Sequence, residues 1–278
     1  MKGLIFGTAG IPLSSHANDS ISGIARLHEL GLEAMEMEFV HGVKMGVETA
    51  RLVGKAAEEK GISLSVHAPY YINLNSEEKE KRAASAKRIL DSARIANEAG
   101  AKAVAVHPGF YQKTSPAQAY ETVKAELEEI CAVLKKGGNG IKVGLETTGK
   151  PTQFGSISEI LRLSGEVKGI WPYPDFAHIH ARGNGCLKTK RDFEKVLEEM
   201  ESHSKKYLQE LHCHASGINY SAKGERNHLV LESRENDFDY KLMLEALKEF
   251  GANGVVICES PSIEKDALLM QEYWKAIA

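Results

Sequence analysis

Apolar runs in this chain repeatedly end in a histidine, an aspartate or a glutamate. The endings are His67 in SLSVHAPY, His107 in VAVHPGF, Glu146 in KVGLETT, Asp175 and His178 in PDFAH, His212 in ELHCH and Glu259 in VVICES. One such residue after a strand means little. A series of them at corresponding points of a repeating unit means that the strand ends converge on one site. Imidazole and carboxylate ligands suit zinc, manganese or iron, whereas a soft-metal preference would need thiolates. Four histidines and three carboxylates exceed what one tetrahedral ion can use, so the set predicts two or three ions bridged by a carboxylate. Two close ions can activate a water and stabilise the entering and leaving oxygens of a phosphoester displacement, while one could instead polarise a sugar carbonyl and hydroxyl.

Each residue also has a plainer reading. Asp175 could cap the segment that follows it, a common role for aspartate. Glu146 and Glu259 resist such a reading, because a carboxylate closing a VGLE or VICE run is rarely buried unpaired. Cys213 and Cys258 flank candidate ligands but alternate away from them, as small core residues would. In LEAMEMEFV, Glu36 and Glu38 share a face with Ala34 and Val40, while Met35, Met37 and Phe39 take the other. An apolar outer face would put both glutamates inside the fold, near its mouth, to bind a ligand or to pair with a lysine or arginine.

The elements that must position these residues repeat about eight times as a short apolar run, a turn and an amphipathic helix. Helices are expected near 21–30, 47–60, 76–99 and 116–136, with Gly31, Gly61, Gly100 and Gly251 at helix-to-strand turns. Strands rich in Val, Ile and Leu that alternate with helices indicate a parallel sheet covered by helices. Eight units without a GxGxxG fingerprint favour a closed (β/α)8 TIM barrel, one domain over residues 1–278, with its site at the C-terminal ends of the strands. The longest irregular segment, 215–237, follows the seventh strand and carries Lys223, Glu225, Arg226, Asn227 and His228. A loop of that length on the active face is more often functional than idle.

At 278 residues, 42% hydrophobic and 26% charged, the chain is long enough for one large core. A net charge of −3 and a pI near 6.4 give no overall basic field for nucleic acid, although a local basic groove beside cations would suffice. The four cysteines are scattered without CxxC spacing, which argues against a structural zinc knuckle or a disulfide scaffold. The N-terminal MKGLIFGTAGIPL is too soon interrupted to read as a signal peptide, and no run approaches a membrane span. A cytoplasmic, monomeric protein is expected.

In order, the motifs VHAPYYINL, AVHPGF, GLETTG, DFAHIHARG, ELHCHASG and CESP resemble the endonuclease IV family of apurinic/apyrimidinic endonucleases, within the wider xylose-isomerase-like barrel group. The resemblance covers the chain from the third strand onward, and the first two strands only loosely. It implies two or three zinc ions, with manganese as a substitute. His67, His107 and Glu146 would hold the first ion; Glu146, Asp175, His212 and Glu259 the second, with Glu146 as the catalytic bridge. His178 would serve a third ion, which the family completes with a D-R-H triplet. Here the corresponding stretch is Glu225-Arg226-Asn227-His228, a glutamate for the aspartate with one residue inserted before the histidine. Tyr70 falls where the family places an aromatic that helps hold distorted DNA, and Arg226 is the arginine of the triplet, expected to meet the substrate. The implied activity is hydrolysis of the phosphodiester 5′ to an abasic site in duplex DNA. Glu36, Glu38 and His214 have no counterpart in that pattern. A strand-two glutamate is more typical of the sugar isomerase and epimerase relatives, so a one-ion sugar enzyme is the rival expectation. A barrel that binds nucleic acid without cutting it ranks last.

Overall fold

The computed structural model describes residues 3–277; residues 1, 2 and 278 of the expected domain lie outside the described residues. Eight parallel strands line the barrel: β1 (Leu4–Ala9), β2 (Ala34–Glu38), β3 (Ser63–His67), β4 (Ala103–Val106), β5 (Lys142–Glu146), β6 (Ile170–Tyr173), β7 (Leu211–Ala215) and β8 (Gly254–Cys258). They pair in the order β6-β5-β4-β3-β2-β1-β8-β7. Between β6 and β7 the described residues form one parallel bridge, Asp175 to His214, with the His214 amide donating to Pro174 O at 3.0 Å. The barrel therefore closes at its mouth, and the seam sets Asp175 and His214 side by side. The expected (β/α)8 barrel is the observed architecture.

Alternation along the strands sorts the side chains. On β4, Val104 and Val106 join the main core between sheet and helices, whereas Ala103 and Ala105 meet Tyr173 in a separate small cluster. His107 continues the Ala103–Ala105 side of the pleat, which carries it to the barrel interior. Local chemistry fixes the helices. Ser115 and Ser156 each form a reciprocal capping box, with Gln118 and Glu159 respectively. Gly31, Gly61, Gly100 and Gly251 take φ between 61° and 73°, the left-handed turns expected after helices.

Two expectations change. The helix read as 76–99 runs Lys79–Glu98. Its expected start is spent elsewhere: Ser76 O accepts from Arg82, and Asn75 just before it donates Nδ2 to Phe110 O, Tyr111 O and Thr114 Oγ1. The segment 215–237 is not irregular throughout, because Gly217–Ser221 and Gly224–Leu229 form an antiparallel hairpin. Among the described residues no helix is long and apolar enough to cross a membrane.

Gly144 of β5 leaves the space that the Tyr173 ring fills, since a Cβ there would lie 2.3 Å from Tyr173 Cδ2. Gly144→Ala should therefore cost about 1–3 kcal/mol in urea unfolding, the usual scale of overpacking. Gly165→Ala, in open space on a helix, should be neutral or raise stability by about 0.4–1 kcal/mol. Equal effects of the two would contradict this packing of the barrel floor.

Candidate metal centre

Glu146, at the end of β5, is fully buried and faces two clusters with its two oxygens. Oε2 lies 3.0 Å from His67 Nε2 and 3.3 Å from His107 Nε2. The other ring nitrogen of His67, Nδ1, is 2.8 Å from Ala68 O. A hydrogen on Nδ1 leaves the Nε2 lone pair pointing at a carboxylate, an arrangement that needs a proton or a cation between them. These three residues form the first ligand group.

Around Oε1 lies the second group, Glu146, Asp175, His178 and Glu259, with His214 beside it. His214 Nδ1 is 3.4 Å from Glu146 Oε1 and 3.3 Å from Glu259 Oε1. Asp175 caps helix α1 (Phe176–Arg182) by accepting from the His178 amide at 2.7 Å through Oδ1. Its Oδ2 is buried without a partner, as are Glu146 Oε1 and His214 Nδ1. The cap and the ligand readings of Asp175 thus use different oxygens. Nδ1 of His178 also reaches Glu146 and Asp175, but it sits 3.0 Å from Thr147 O, which takes its hydrogen. That leaves His178 Nε2 to face outward, 3.5 Å from Glu225 Oε2.

His178, Glu225 and His228 make the third group. His228 Nδ1 is engaged by Ser216 Oγ at 2.7 Å, which frees its Nε2. Glu225 and His228 are three residues apart, a spacing that would put them on opposite faces of a regular strand. The hairpin register resolves this. Asn219 pairs with Asn227 and Tyr220 with Glu225, so Arg226 is an unpaired bulge residue and the faces are restored. Arg226 itself is exposed.

Ligands of a tetrahedral zinc at about 2.0–2.1 Å stand about 3.3–3.4 Å apart, and the contacts above cluster at that spacing. Each unsatisfied buried polar atom costs roughly 1–3 kcal/mol. The orphaned atoms converge on shared points, so the donor set fits divalent cations. Protons take that role in their absence. Burial would lower His67, but its bond to Glu146 and the charges of Glu38, Glu146 and Glu36 push it up to about 10. Burial, with repulsion from Glu259 and Glu146, pushes Asp175 up to about 8 against the pull of His178. Burial takes His107 down to about 4. Glu146 is held well below the carboxylate range despite burial, by His107, His214 and His178.

His212, expected among the ligands, is placed outside these groups. It lies two residues deeper on β7, its ring stacked on Tyr173 at 4.3 Å and its Nε2 3.8 Å from Glu36. His214 occupies the level of Asp175 instead. Both histidines share the inward face, so only depth separates them, and the later one reaches the mouth. Glu36 faces inward as the pattern on β2 indicated, but it pairs with His214, 2.8 Å away, and not with a lysine or arginine. At the mouth, a cavity of about 630 Å³ is lined by Tyr70, Phe110, Lys150 and Gln153 with Glu38 and the ligand groups. Tyr70 is 59% exposed, a free aromatic face at the rim.

Comparison with known proteins adds three likenesses. An uncharacterized protein of Methanocaldococcus jannaschii is 42% identical over 275 residues, spanning 99% of this chain and 98% of that one. A probable endonuclease 4 of Mycoplasmoides gallisepticum is 26% identical over 230 residues, 80% of this chain and 72% of its own. Among solved structures, a D-tagatose 3-epimerase-like protein superposes with a TM-score of 0.74 at 21% identity, over 98% of this chain and 96% of that one. Residues 24–277 match one family along nearly their whole length, and the chain belongs to the xylose isomerase-like TIM barrel family.

Proposed function

We propose that this protein is a metal-dependent phosphodiesterase of the apurinic/apyrimidinic endonuclease type, built on one domain and acting on abasic duplex DNA. The observation that carries the reading is that three adjacent ligand groups meet around Glu146 and His178. His67, His107 and Glu146 would hold one ion; Glu146, Asp175, His214 and Glu259 a second; His178, Glu225 and His228 a third. Bound zinc, or manganese in its place, would supply Lewis acidity toward a water and the phosphodiester oxygens.

The chain's own residues do the rest. Glu146 spans two groups and so fixes their separation. Thr147 O and Ala68 O orient His178 and His67, and Ser216 orients His228. Tyr70 offers its exposed ring at the rim, where stacking on a nucleobase would fill a gap in the helix. Lys150 in the cavity and Arg226 on the bulge add positive charge near a phosphate backbone. The sequence relative named as a probable endonuclease supports this reading.

A second reading, a sugar isomerase or epimerase using one ion, is favoured by one feature. Burial pushes Glu38 up to about 8, with Glu36 and Glu259 adding to it against the pull of His67. A carboxyl group in that state at the mouth could donate to a sugar oxygen. The likeness to the epimerase-like structure is one of fold alone.

Elemental analysis of protein never exposed to chelator should find two or three divalent ions per chain, and the same material should nick an abasic oligonucleotide duplex 5′ to the lesion. One ion per chain with ketose turnover and intact DNA would establish the second reading. Glu146→Gln should lower nicking by more than about 100-fold with the fold kept, because metal centres lose about 10–100-fold even when an outer partner is removed. Full activity of that variant would remove Glu146 from the centre. Tyr70→Ala should weaken abasic-duplex binding by about 5–150-fold, the scale of base stacking at about 1–3 kcal/mol, with ion content unchanged. Loss of ions along with DNA would contradict a role at the rim.

A further inference from the structure

Behind the third ligand group lies a polar junction that the proposed reaction does not use. His178 and His180 stand two residues apart on α1, which turns their side chains about 200° from one another. His178 joins the ligands, and His180 is buried on the far side of the helix. The Leu187 amide donates to His180 Nδ1 at 3.1 Å, so the ring hydrogen is on Nε2, which donates to Asp237 Oδ1 at 3.0 Å. Asp237 Oδ2 accepts from Tyr220 OH at 2.8 Å and from Lys188 Nζ. One carboxylate thus joins the helix, the segment that follows it and the first strand of the hairpin.

Tyr220 is where this junction reaches the ligands. It pairs with Glu225 across the hairpin, and its ring meets His180 edge-on with centroids 5.3 Å apart. Its hydroxyl fills space left by Gly185, where a Cβ would collide with it. Gly149 backs Glu225 from another direction: the Glu225 amide donates to Gly149 O at 2.9 Å, and a Cβ on Gly149 would lie 2.5 Å from Glu225 Oε2. The segment around Gly149 is held by Arg182, the last residue of α1, which donates to Thr148 Oγ1, Lys150 O and Gln153 O at 2.7–2.9 Å. Both supports of Glu225 therefore begin on the helix that bears His178.

We propose that Asp237 is a positioning residue for the third ion: it fixes the hairpin against α1 and so sets the separation of ligands that come from two different elements. One ligand of that group, His178, stands on the helix, and two, Glu225 and His228, stand on the hairpin. His178 Nε2 and Glu225 Oε2 are 3.5 Å apart, and a ligand site loosened by about 1 Å loses its function. A freed junction would let Glu225 and His228 move together away from His178. The other groups do not depend on it, because His67 and Glu146 end strands and His107, Asp175 and Glu259 directly follow them. The effect is confined to one ion.

The inference rests on the third ion of the proposed function and is tested without DNA. Zinc-loaded wild type and Asp237→Ala are titrated with a colorimetric chelator, and the histidine rings are followed by ¹⁵N–¹H NMR on ¹⁵N-histidine-labelled protein. The variant should give up one ion per chain at a chelator concentration at least about 10-fold lower, the scale on which the supports of metal ligands act. The remaining ions should leave at the wild-type concentration. The His178 and His228 ring signals should shift, while those of His67 and His107 keep their positions. Wild-type retention of every ion overturns the proposal, as does an equal loss of all of them with His67 and His107 shifting too. If Asp237→Ala does not fold, Tyr220→Phe, which deletes one hydroxyl, decides: easier loss of one ion supports the role, and wild-type retention overturns it. Wild-type protein that carries only two zinc ions overturns this inference and leaves a two-ion nuclease standing. Wild-type protein with three ions that never nicks abasic DNA sinks the nuclease reading and leaves this one in place.

Discussion

A buried glutamate with each oxygen facing a different histidine cluster cannot stand alone. Glu146 is fully desolvated, and the surrounding imidazoles lie 3.0–3.4 Å from its oxygens. Positive charge has to sit between them, whether as protons or as metal ions. Everything near the mouth follows from that requirement. The carboxyl groups of Glu36, Asp175, Glu225 and Glu259 crowd the same region, and the backbone carbonyls of Ala68 and Thr147 set which ring nitrogen of His67 and His178 is left free. Because ligands must be deprotonated to bind, cations and protons compete for the same places. The raised His67 and Asp175 and the depressed Glu146 are the proton-filled side of that competition.

The barrel brings these groups together through its weakest join. Strands β1 through β6 pair continuously, as do β1, β8 and β7, while β6 and β7 are linked in the described residues by the bridge of Asp175 to His214. A seam with few ladder bonds needs other contacts, and side chains from both sides provide them. The Tyr173 ring lies on His212, and Tyr173 OH reaches across the barrel to Glu36. The floor of the site and the closure of the barrel are therefore the same set of contacts. Support for the outer ligands is separate. Asp237 accepts from His180, Tyr220 and Lys188, which ties the hairpin bearing Glu225 and His228 to helix α1.

Much of this was legible in the residues. The strand-end series located the mouth because side-chain direction has period two and parallel strands all end on one face. Depth was less legible than direction. His212 and His214 share a face, and no pattern in ELHCHASG says which reaches the level of Asp175; the seam register decides it. The hairpin was hidden for a related reason. GINYSAKGERNHL carries few apolar residues in strict alternation, and its strands are held by pairing with each other and by contacts to α1. The inserted residue in Glu225-Arg226-Asn227-His228 looks disruptive only if the strand is regular. A bulge at Arg226 absorbs it.

The two glutamates of β2 show how one strand can carry both departures from a shared pattern. They point inward at successive depths, Glu36 at the floor and Glu38 at the mouth, and their surroundings drive them apart. Burial raises both, but Glu36 meets His214, His212 and His67 and is held to about 2. Glu38 meets chiefly His67 and the repulsion of Glu36 and Glu259, and burial prevails. Two carboxyls one pleat apart are thereby driven in opposite directions, Glu36 down and Glu38 up. The nuclease and sugar-enzyme readings differ in what they ask of Glu38. An ordered set of three ions leaves Glu38 at the edge of the cavity, whereas a one-ion sugar enzyme would put Glu38 to work and leave His178, Glu225 and His228 without a task. The built geometry of that last group, with its bulge and its tie to Asp237, is what weighs toward the first.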